Sequence, residues 1–532
     1  MYVPTWGPVV PLLAMAIPAG LGLGVLFASW PNPFRAATVA TGLGLGLSLA
    51  VAIGGFATPG GSPVAPGLVA AATSVDGLIR IDAVTRVMLV LIALIAVVIV
   101  RYSRSYLRGD AGQLRYVRAL LTTLAAVTIL VLSNNLLVIA LAWLGTSLAL
   151  HRLLTFYRHR PQALVAAHKK FLVSRLADLC MLGATGLVGA SAGSFDLDVV
   201  TAWAQAPGPP PASLPLAAVL LVLAVCLKSA QLPFHGWLLQ VMEAPTPVSA
   251  LLHAGIVNIG GFVMIRMAGM MAHAPHAQGL LVIIGTVTAV GAALVMTTRV
   301  SIKVALAWST CAQMGFMLAE CGLGAWHLAL LHLVAHSLYK AHAFLASGSV
   351  VETWRVGALS PPREPASLAR LVGVSALVLA SVAASVAAGH ALLAGAEAPS
   401  PTLLPLTIVL GLSVTPLVVR ALEGGARSLL GAILLGAGAG AVYAGGHAVA
   451  GHLLQVPEPP RMPLTWLIVI AGFGVLFVVQ MIVEARPGGR LARALHPLLF
   501  SGFYLDELFT RVTFRLLPPR LPRPPARPAR SA

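Results

Sequence analysis

The residues able to do chemistry in this chain are lysines and histidines lying inside apolar stretches. Lys228 opens the segment Lys228-Ser-Ala-Gln-Leu-Pro233-Phe-His235, with a proline little more than one helical turn later. The next apolar run opens Ala244-Pro245-Thr246-Pro247-Val248-Ser249 and reaches His253. His332, His336 and Lys340 are spaced four apart, so all three project from one helical face. Arg175 and Asp178 stand one turn apart, and Lys303 is followed by Ser309 and Gln313. Lysine and histidine accept and release protons. An ionisable side chain at the centre of a bilayer costs roughly 2.5–3.5 kcal/mol on insertion scales, so such groups face protein or water, mainly where ions or protons move.

Each group admits more than one reading. Proline removes a backbone donor and breaks a helix; at membrane depth a broken helix lines a cavity and offers its half-helix ends to ions, or it is a kink that accommodates lipid. The His332, His336 and Lys340 row is a proton relay, a set of satisfied core groups, or a metal site. Two histidines at i and i+4 can hold zinc, but the row is read as lacking a nearby third ligand, and lysine is a poor one. Arg175 and Asp178 are either a structural pair or part of an ion path. Lys303 either extends the path or snorkels to the membrane surface.

The elements that position these residues follow from composition. Of 532 residues, 58% are hydrophobic and 9% charged, against roughly 25% charged in a soluble domain, which excludes a soluble enzyme. A spanning helix takes about 20 apolar residues, so the chain holds about fifteen spans and no soluble catalytic domain. The expectation is an all-α polytopic membrane protein with spans near 8–30, 36–57, 84–101, 117–133, 136–155, 171–191, 214–238, 246–270, 278–297, 302–322, 326–350, 368–395, 402–420, 428–452 and 463–484. The first run lacks a cationic n-region and contains Pro11 and Pro18, so it reads as a retained span.

The charge excess, 34 Lys and Arg against 16 Asp and Glu, reads as membrane topology and attraction to membrane lipid, not as nucleic-acid binding. Alternate connections carry the cations: Arg35; Arg101 to Arg118; Arg158, Arg160, Lys169 and Lys170; Arg299; Arg355 and Arg363; Arg420 and Arg427; Arg486 to Arg493. The intervening ones hold Asp76, Arg80, Asp82, Asp196, Asp198, Arg266, Glu397, Glu458 and Arg461. By the positive-inside rule the N-terminus is outside and the C-terminus cytoplasmic. Residues 1–110 form N-terminal membrane helices, 111–425 an ion-translocating core, and 426–517 C-terminal helices with an amphipathic end. The tail 518–532, rich in Pro and Arg, is expected to be disordered and to meet anionic lipid or a partner. Only five residues are lysine, and the four cysteines, Cys180, Cys226, Cys311 and Cys321, lie singly with no metal or disulfide spacing.

Lys228-Ser-Ala-Gln-Leu-Pro-Phe-His-Gly-Trp237, Ala244-Pro-Thr-Pro-Val-Ser-Ala-Leu-Leu-His253 and Ser347-Gly-Ser349 resemble the antiporter-like, proton-conducting membrane subunits of respiratory complex I and of multisubunit cation/proton antiporters. The resemblance covers most of residues 80–355. It implies two inverted five-helix repeats with broken helices, and a central polar axis of Lys228, His253, His332, His336 and Lys340 with Lys303, Arg175 and Asp178 nearby.

Three departures narrow the choice. Trp143-Leu144-Gly145 stands where the large complex I subunits have Trp-Glu-Gly, so the acid expected to pair with Lys228 is missing. The span at 368–395 offers only Arg370 and His390 in place of the usual lysine, and no lateral helix is expected after Tyr504-Leu-Asp-Glu507. His151-Arg-Leu-Leu-Thr-Phe-Tyr157, His168-Lys-Lys-Phe171 and Ser174-Arg-Leu-Ala-Asp-Leu-Cys180 resemble the membrane subunits of DAB inorganic carbon accumulation complexes, the DabB family. That resemblance implies a bacterial inner-membrane, non-enzymatic transporter subunit. A flow of H⁺ or Na⁺ through it drives CO₂ hydration to bicarbonate in a DabA-like peripheral partner with a carbonic-anhydrase-like zinc site, so that zinc is expected in the partner and no cofactor in this chain. The alternative is a proton-pumping subunit of a complex I-like NADH-quinone oxidoreductase or a cation/proton antiporter. A membrane scaffold that conducts nothing is the third class.

Overall fold

A computed structural model of the chain describes residues 9–29, 32–54, 77–208, 210–349, 367–393, 402–421, 427–453 and 462–519. The expected disordered tail, from 520 on, lies outside these, as do Asp76, Arg355, Arg363, Glu397, Glu458 and Arg461.

The described residues form helices with only two isolated bridges, Ile79 with Ser133 and Asn135 with Asp196. In order they are α1 Val9–Leu26, α2 Pro33–Gly54, α3 Ala83–Tyr106, α4 Gln113–Leu132, α5 Leu136–Leu154, α6 Pro161–Ala192, α7 Leu197–Ala204, α8 Leu214–Lys228, α9 Gly236–Gln240, α10 Thr246–Ala254, α11 Ile259–Arg266, α12 Ala268–Met271, α13 Pro275–Met296, α14 Ile302–Gly322, α15 Trp326–Leu345, α16 Leu368–Leu393, α17 Leu403–Ala421, α18 Arg427–Leu453, α19 Pro463–Ala485, α20 Arg490–Phe500 and α21 Leu505–Leu516. In hydrocarbon a helix satisfies its own backbone groups, which makes it the available way to span for a chain of this pattern.

Twelve described helices are long and apolar enough to cross a membrane, so the expected fifteen is not met on length and composition alone. Two of the expected spans outside that set have physical reasons to be: α8 stops at Lys228, and α15 carries the histidine and lysine row that lowers its hydropathy.

Caps place several ends. Asp82 accepts from the Thr85 amide at 2.9 Å and starts α3, and Asn135 accepts from Leu137 and Val138 to start α5. Pro161 occupies the first turn of α6, where its missing N–H costs nothing. That start corrects the expected span at 171–191: Lys169 and Lys170, assigned above to a loop, are buried within a 32-residue helix. The extension is tolerated because both ammonium groups find oxygen partners.

Contacts sort the helix ends into two faces. At one, Arg115 of α4 donates to the Phe156 carbonyl after α5, Arg299 after α13 donates to the Leu499 and Phe500 carbonyls at 2.6 and 2.8 Å, and His168 of α6 meets the Leu517 carbonyl at 2.8 Å. The amphipathic pair α20 and α21 lies across this arginine-rich face. At the other, Arg80 bridges Asp82 and Asp198 at 3.0 and 2.9 Å, Arg266 at the end of α11 pairs with Asp82 and Thr85, and Asn134 donates to Asp196 and Asp198. α13 and α14 pack almost backbone to backbone: a Cβ on Gly285 would stand 2.6 Å from the Gly315 carbonyl oxygen. Small residues allow that approach, and it makes α14 a fixed wall for the site.

Candidate functional site

Two helices are interrupted beside a titratable group. α8 ends at Lys228, and residues 229–235 run as turns before α9. α10 ends at Ala254, one residue after His253, and Gly255 with the 3₁₀ turn Ile256–Asn258 separates it from α11. The second break follows His253 and does not lie at Pro245 and Pro247, with which the segment opens. Those prolines sit at the N-cap and first turn of α10, a position that suits proline.

The first cluster gathers on α5, α6 and α8. Lys228 Nζ lies 2.6 Å from Asp178 Oδ1, and Arg175 lies 2.7 Å from the other carboxylate oxygen. These contacts fall off the hydrogen-bond axis, so they are charge contacts and not aligned bonds. The Lys228 and Asp178 side chains are 7% and 8% exposed. Lys228 also stands 4.4 Å above the Trp143 ring. Asp178 therefore occupies the counter-charge role that Leu144 leaves vacant. Lys170, which the sequence reading left in a loop, donates to the Ser147 carbonyl and hydroxyl at 2.8 and 2.7 Å, and Arg175 reaches the same hydroxyl at 3.3 Å.

The second cluster gathers on α10, α14 and α15. Lys340, fully buried, donates to the Leu306 carbonyl at 3.1 Å. The Thr310 hydroxyl donates to the same carbonyl at 3.0 Å and meets His253 Nδ1 at 3.0 Å. With the Thr310 proton directed to Leu306, the Thr310 oxygen is placed to accept from His253 Nδ1–H, and His253 Nε2 has no protein partner. His253 stacks on Phe344 at 4.3 Å. His336 is buried with neither ring nitrogen paired, and its charge environment includes His332, Lys340 and His253. His332 Nδ1 lies 2.8 Å from a Glu320 carboxylate oxygen. The row therefore does have an acid beside it, contrary to the reading from sequence, because α14 and α15 are antiparallel neighbours that bring position 320 back to 332. Among the described residues no group of three or more His, Cys, Asp or Glu gathers to hold a metal ion.

Lys303 donates to the Thr246 hydroxyl at 2.9 Å, at the foot of α10. Its expected continuation through Gln313 is not present, since Gln313 is exposed on the far side of α14 and Thr310 takes the inward position. Gln231 and Asn258, in the breaks that follow α8 and α10, each have a buried side-chain oxygen lacking a protein partner. Such orphaned atoms are what ordered water satisfies in protein interiors.

The residues missed from sequence are Lys170, Ser147, Trp143, Thr310 and Glu320. Glu320 could have been found: it is an acid inside an apolar run, the criterion that flagged Lys228. Ser147 and Thr310 carried no signal, because hydroxyls are common in membrane helices and only the fold aims these two.

A multi-pass helical bundle with two interrupted helices and buried lysines is an antiporter-like, ion-translocating membrane subunit. Residues 133–389 match the family model described as NADH:quinone oxidoreductase/Mrp antiporter, TM, and residues 69–117 match complex I chain 5, N-terminus. The solved Mrp complex from Dietzia sp. DQ12-45-1b has a chain that superposes with TM-score 0.64 at 26% identity, over 95% of this chain and 59% of that one. Probable inorganic carbon transporter subunit DabB2 of Halothiobacillus neapolitanus is 39% identical over 88% of this chain and 84% of its own length. Its counterpart DabB of Hydrogenovibrio crunogenus is 40% identical over 84% of each. The chain belongs to the DabB family of inorganic carbon transporter subunits.

Proposed function

We propose that this chain is the ion-translocating subunit of an inorganic carbon pump, in which H⁺ or Na⁺ flux drives CO₂ hydration in a peripheral, zinc-containing partner with a carbonic-anhydrase-like site. The observation that carries the ion-path assignment is the continuous polar line Lys340, Leu306 carbonyl, Thr310, His253, set beside an unpaired buried His336. Lys228 and Lys340 exchange protons, His253, His332 and His336 relay them, and Asp178 is the counter-charge. Arg175 holds Asp178 in place, and Lys303 marks the mouth at the arginine-rich face. The core 111–425 carries this path, flanked by the helices of 1–110 and 426–517. That face is cytoplasmic, which puts the N-terminus outside, because short cytoplasmic loops carry the cation excess. The carbon specificity is taken from the DabB relatives, whose likeness extends over most of both chains.

The test is growth in air of a cell lacking carbonic anhydrase, given this chain with its candidate partner. Rescue by the native chain, with loss of rescue for Lys228→Ala and Lys340→Ala in assembled complexes, is the expected result. No rescue despite assembly and expression overturns the carbon reading. Rescue by both alanine variants overturns the assigned path. The family model also names NADH:quinone oxidoreductases, and that second reading predicts copurifying iron–sulfur or flavin subunits in place of a zinc protein.

A further inference from the structure

Glu320 lies in the last turn and a half of α14, towards the face opposite the arginine-rich one. Its carboxylate is 7% exposed and holds His332 Nδ1 at 2.8 Å; the His332 side chain is 12% exposed. A carboxylate inside a membrane bundle is expensive to keep, and a buried pair of this kind adds little net stability over an apolar pair of similar size. Function is the remaining reason to keep it. The surroundings favour a group that exchanges protons. His332 Nε2, on the far side of the ring, has no protein partner, and the His332 and His336 ring centroids are 6.2 Å apart. On α18 the buried Tyr443 hydroxyl lacks a protein partner and lies close enough to Glu320 to feel its charge. Cys321 is the next residue along α14, and Lys340 lies one turn beyond His336.

We infer that Glu320 and His332 form the terminal proton-exchange pair of this chain at the face opposite the arginine-rich one, which makes the ion moved through this half a proton. The inference rests on the ion-path reading above and adds its end point. The step balances within the pair. A proton on the Glu320 carboxyl passes to the His332 Nδ1 lone pair, leaving carboxylate and imidazolium; the imidazolium then releases its Nε2 proton toward His336, leaving neutral His332 hydrogen-bonded to the carboxylate. Imidazole nitrogens carry protons in this way, whereas hard cations prefer several oxygen ligands, and His332 and His336 present nitrogen.

Two conservative variants separate this role from a structural one. Glu320→Gln keeps the shape and a hydrogen bond to His332 but cannot release a proton. Glu320→Asp keeps the acid but shortens its reach. Proton flux is measured with a pH-sensitive dye in vesicles holding the assembled complex, beside growth in air of the same strains. Flux lower by about a hundredfold for Gln, the scale of a positioned acid–base group, with Asp losing less than Gln, is expected. Gln fluxing within about twofold of the native chain, or Asp faring worse than Gln as a packing role requires, overturns the inference, as does a native complex that moves no protons. A native complex that moves protons without supporting growth in air defeats the carbon reading alone.

Discussion

Asp178→Asn tests the first cluster most directly, because one carboxylate faces two cations at 2.6 and 2.7 Å. Removing one member of a buried ion pair costs about 3–5 kcal/mol, since the other charge is left without compensation. Here the loss is softened. Lys228 keeps its place over Trp143, a contact of about 0.5–2 kcal/mol, and Arg175 is 28% exposed and still donates to Ser147. The net cost falls mainly on Lys228 and comes to about 2–4 kcal/mol, roughly 30- to 1000-fold in an equilibrium. Lys228→Met should cost less, because it leaves Asp178 with Arg175 still beside it. The double variant Asp178→Asn, Lys228→Met should be more stable than Asp178→Asn alone, with a coupling of about 0.5–3 kcal/mol. The assays are thermal unfolding of the purified complex and ion flux in vesicles. The double variant should regain stability without regaining flux. Asp178→Asn melting and conducting like the native chain, or Lys228→Met proving the more damaging single change, would refute the reasoning.

Three further outcomes are expected. Thr310→Val removes the acceptor for His253 Nδ1 and should cost about 1–3 kcal/mol with slower ion flux, whereas Thr310→Ser should leave both near native values. Asp506→Asn strips the counter-charge from Lys169, whose side chain is 1% exposed and whose ammonium lies 3.0 Å from that carboxylate, and weakens the Gln240 bond to it; limited trypsin digestion should then cut at Arg511 or Arg515 faster while the bundle stays intact. At the opposite face, burial pushes the Asp82 carboxyl up, but Arg266, the Thr85 amide and Arg80 outweigh it and hold the group well below the usual carboxylate range. A lowered folded value contributes stability above the unfolded value of about 3.9 and loses it only as pH falls below that. The melting difference between the native chain and Asp82→Asn should therefore be flat from about pH 5 to pH 8, and a difference that shrinks across that window would contradict the pairing.

The bundle was legible from sequence because each span announces itself by about 20 apolar residues, and the first helix break because Pro233 cannot donate to its ladder. The position of the second break was not legible. Proline at the start of a helix is harmless, and Gly255, where the chain turns, looks like any other small residue of a membrane helix. Partnerships at helical spacing were legible. Arg175 with Asp178 follows from i,i+3, whereas His332 with Glu320 and Lys169 with Asp506 join positions that only packing brings together.

The scarcity of lysine, a bare count in the sequence, acquires a cause once the partners are known. Each of the five lysines has a specific oxygen partner: Lys169 the Asp506 carboxylate, Lys170 Ser147, Lys228 the Asp178 carboxylate, Lys303 the Thr246 hydroxyl and Lys340 the Leu306 carbonyl. Arginines at 101, 104, 108, 115, 118, 158 and 160 are exposed at the arginine-rich face. The arginines at 175 and 266 lie against aspartates. Arginine keeps its charge under any condition a protein meets, whereas a desolvated lysine can surrender its proton. Lysine is thus set apart from arginine by its dedicated oxygen partner and not by depth, since Lys169 and Lys303 pair at the arginine-rich face while Lys170, Lys228 and Lys340 pair inside the bundle.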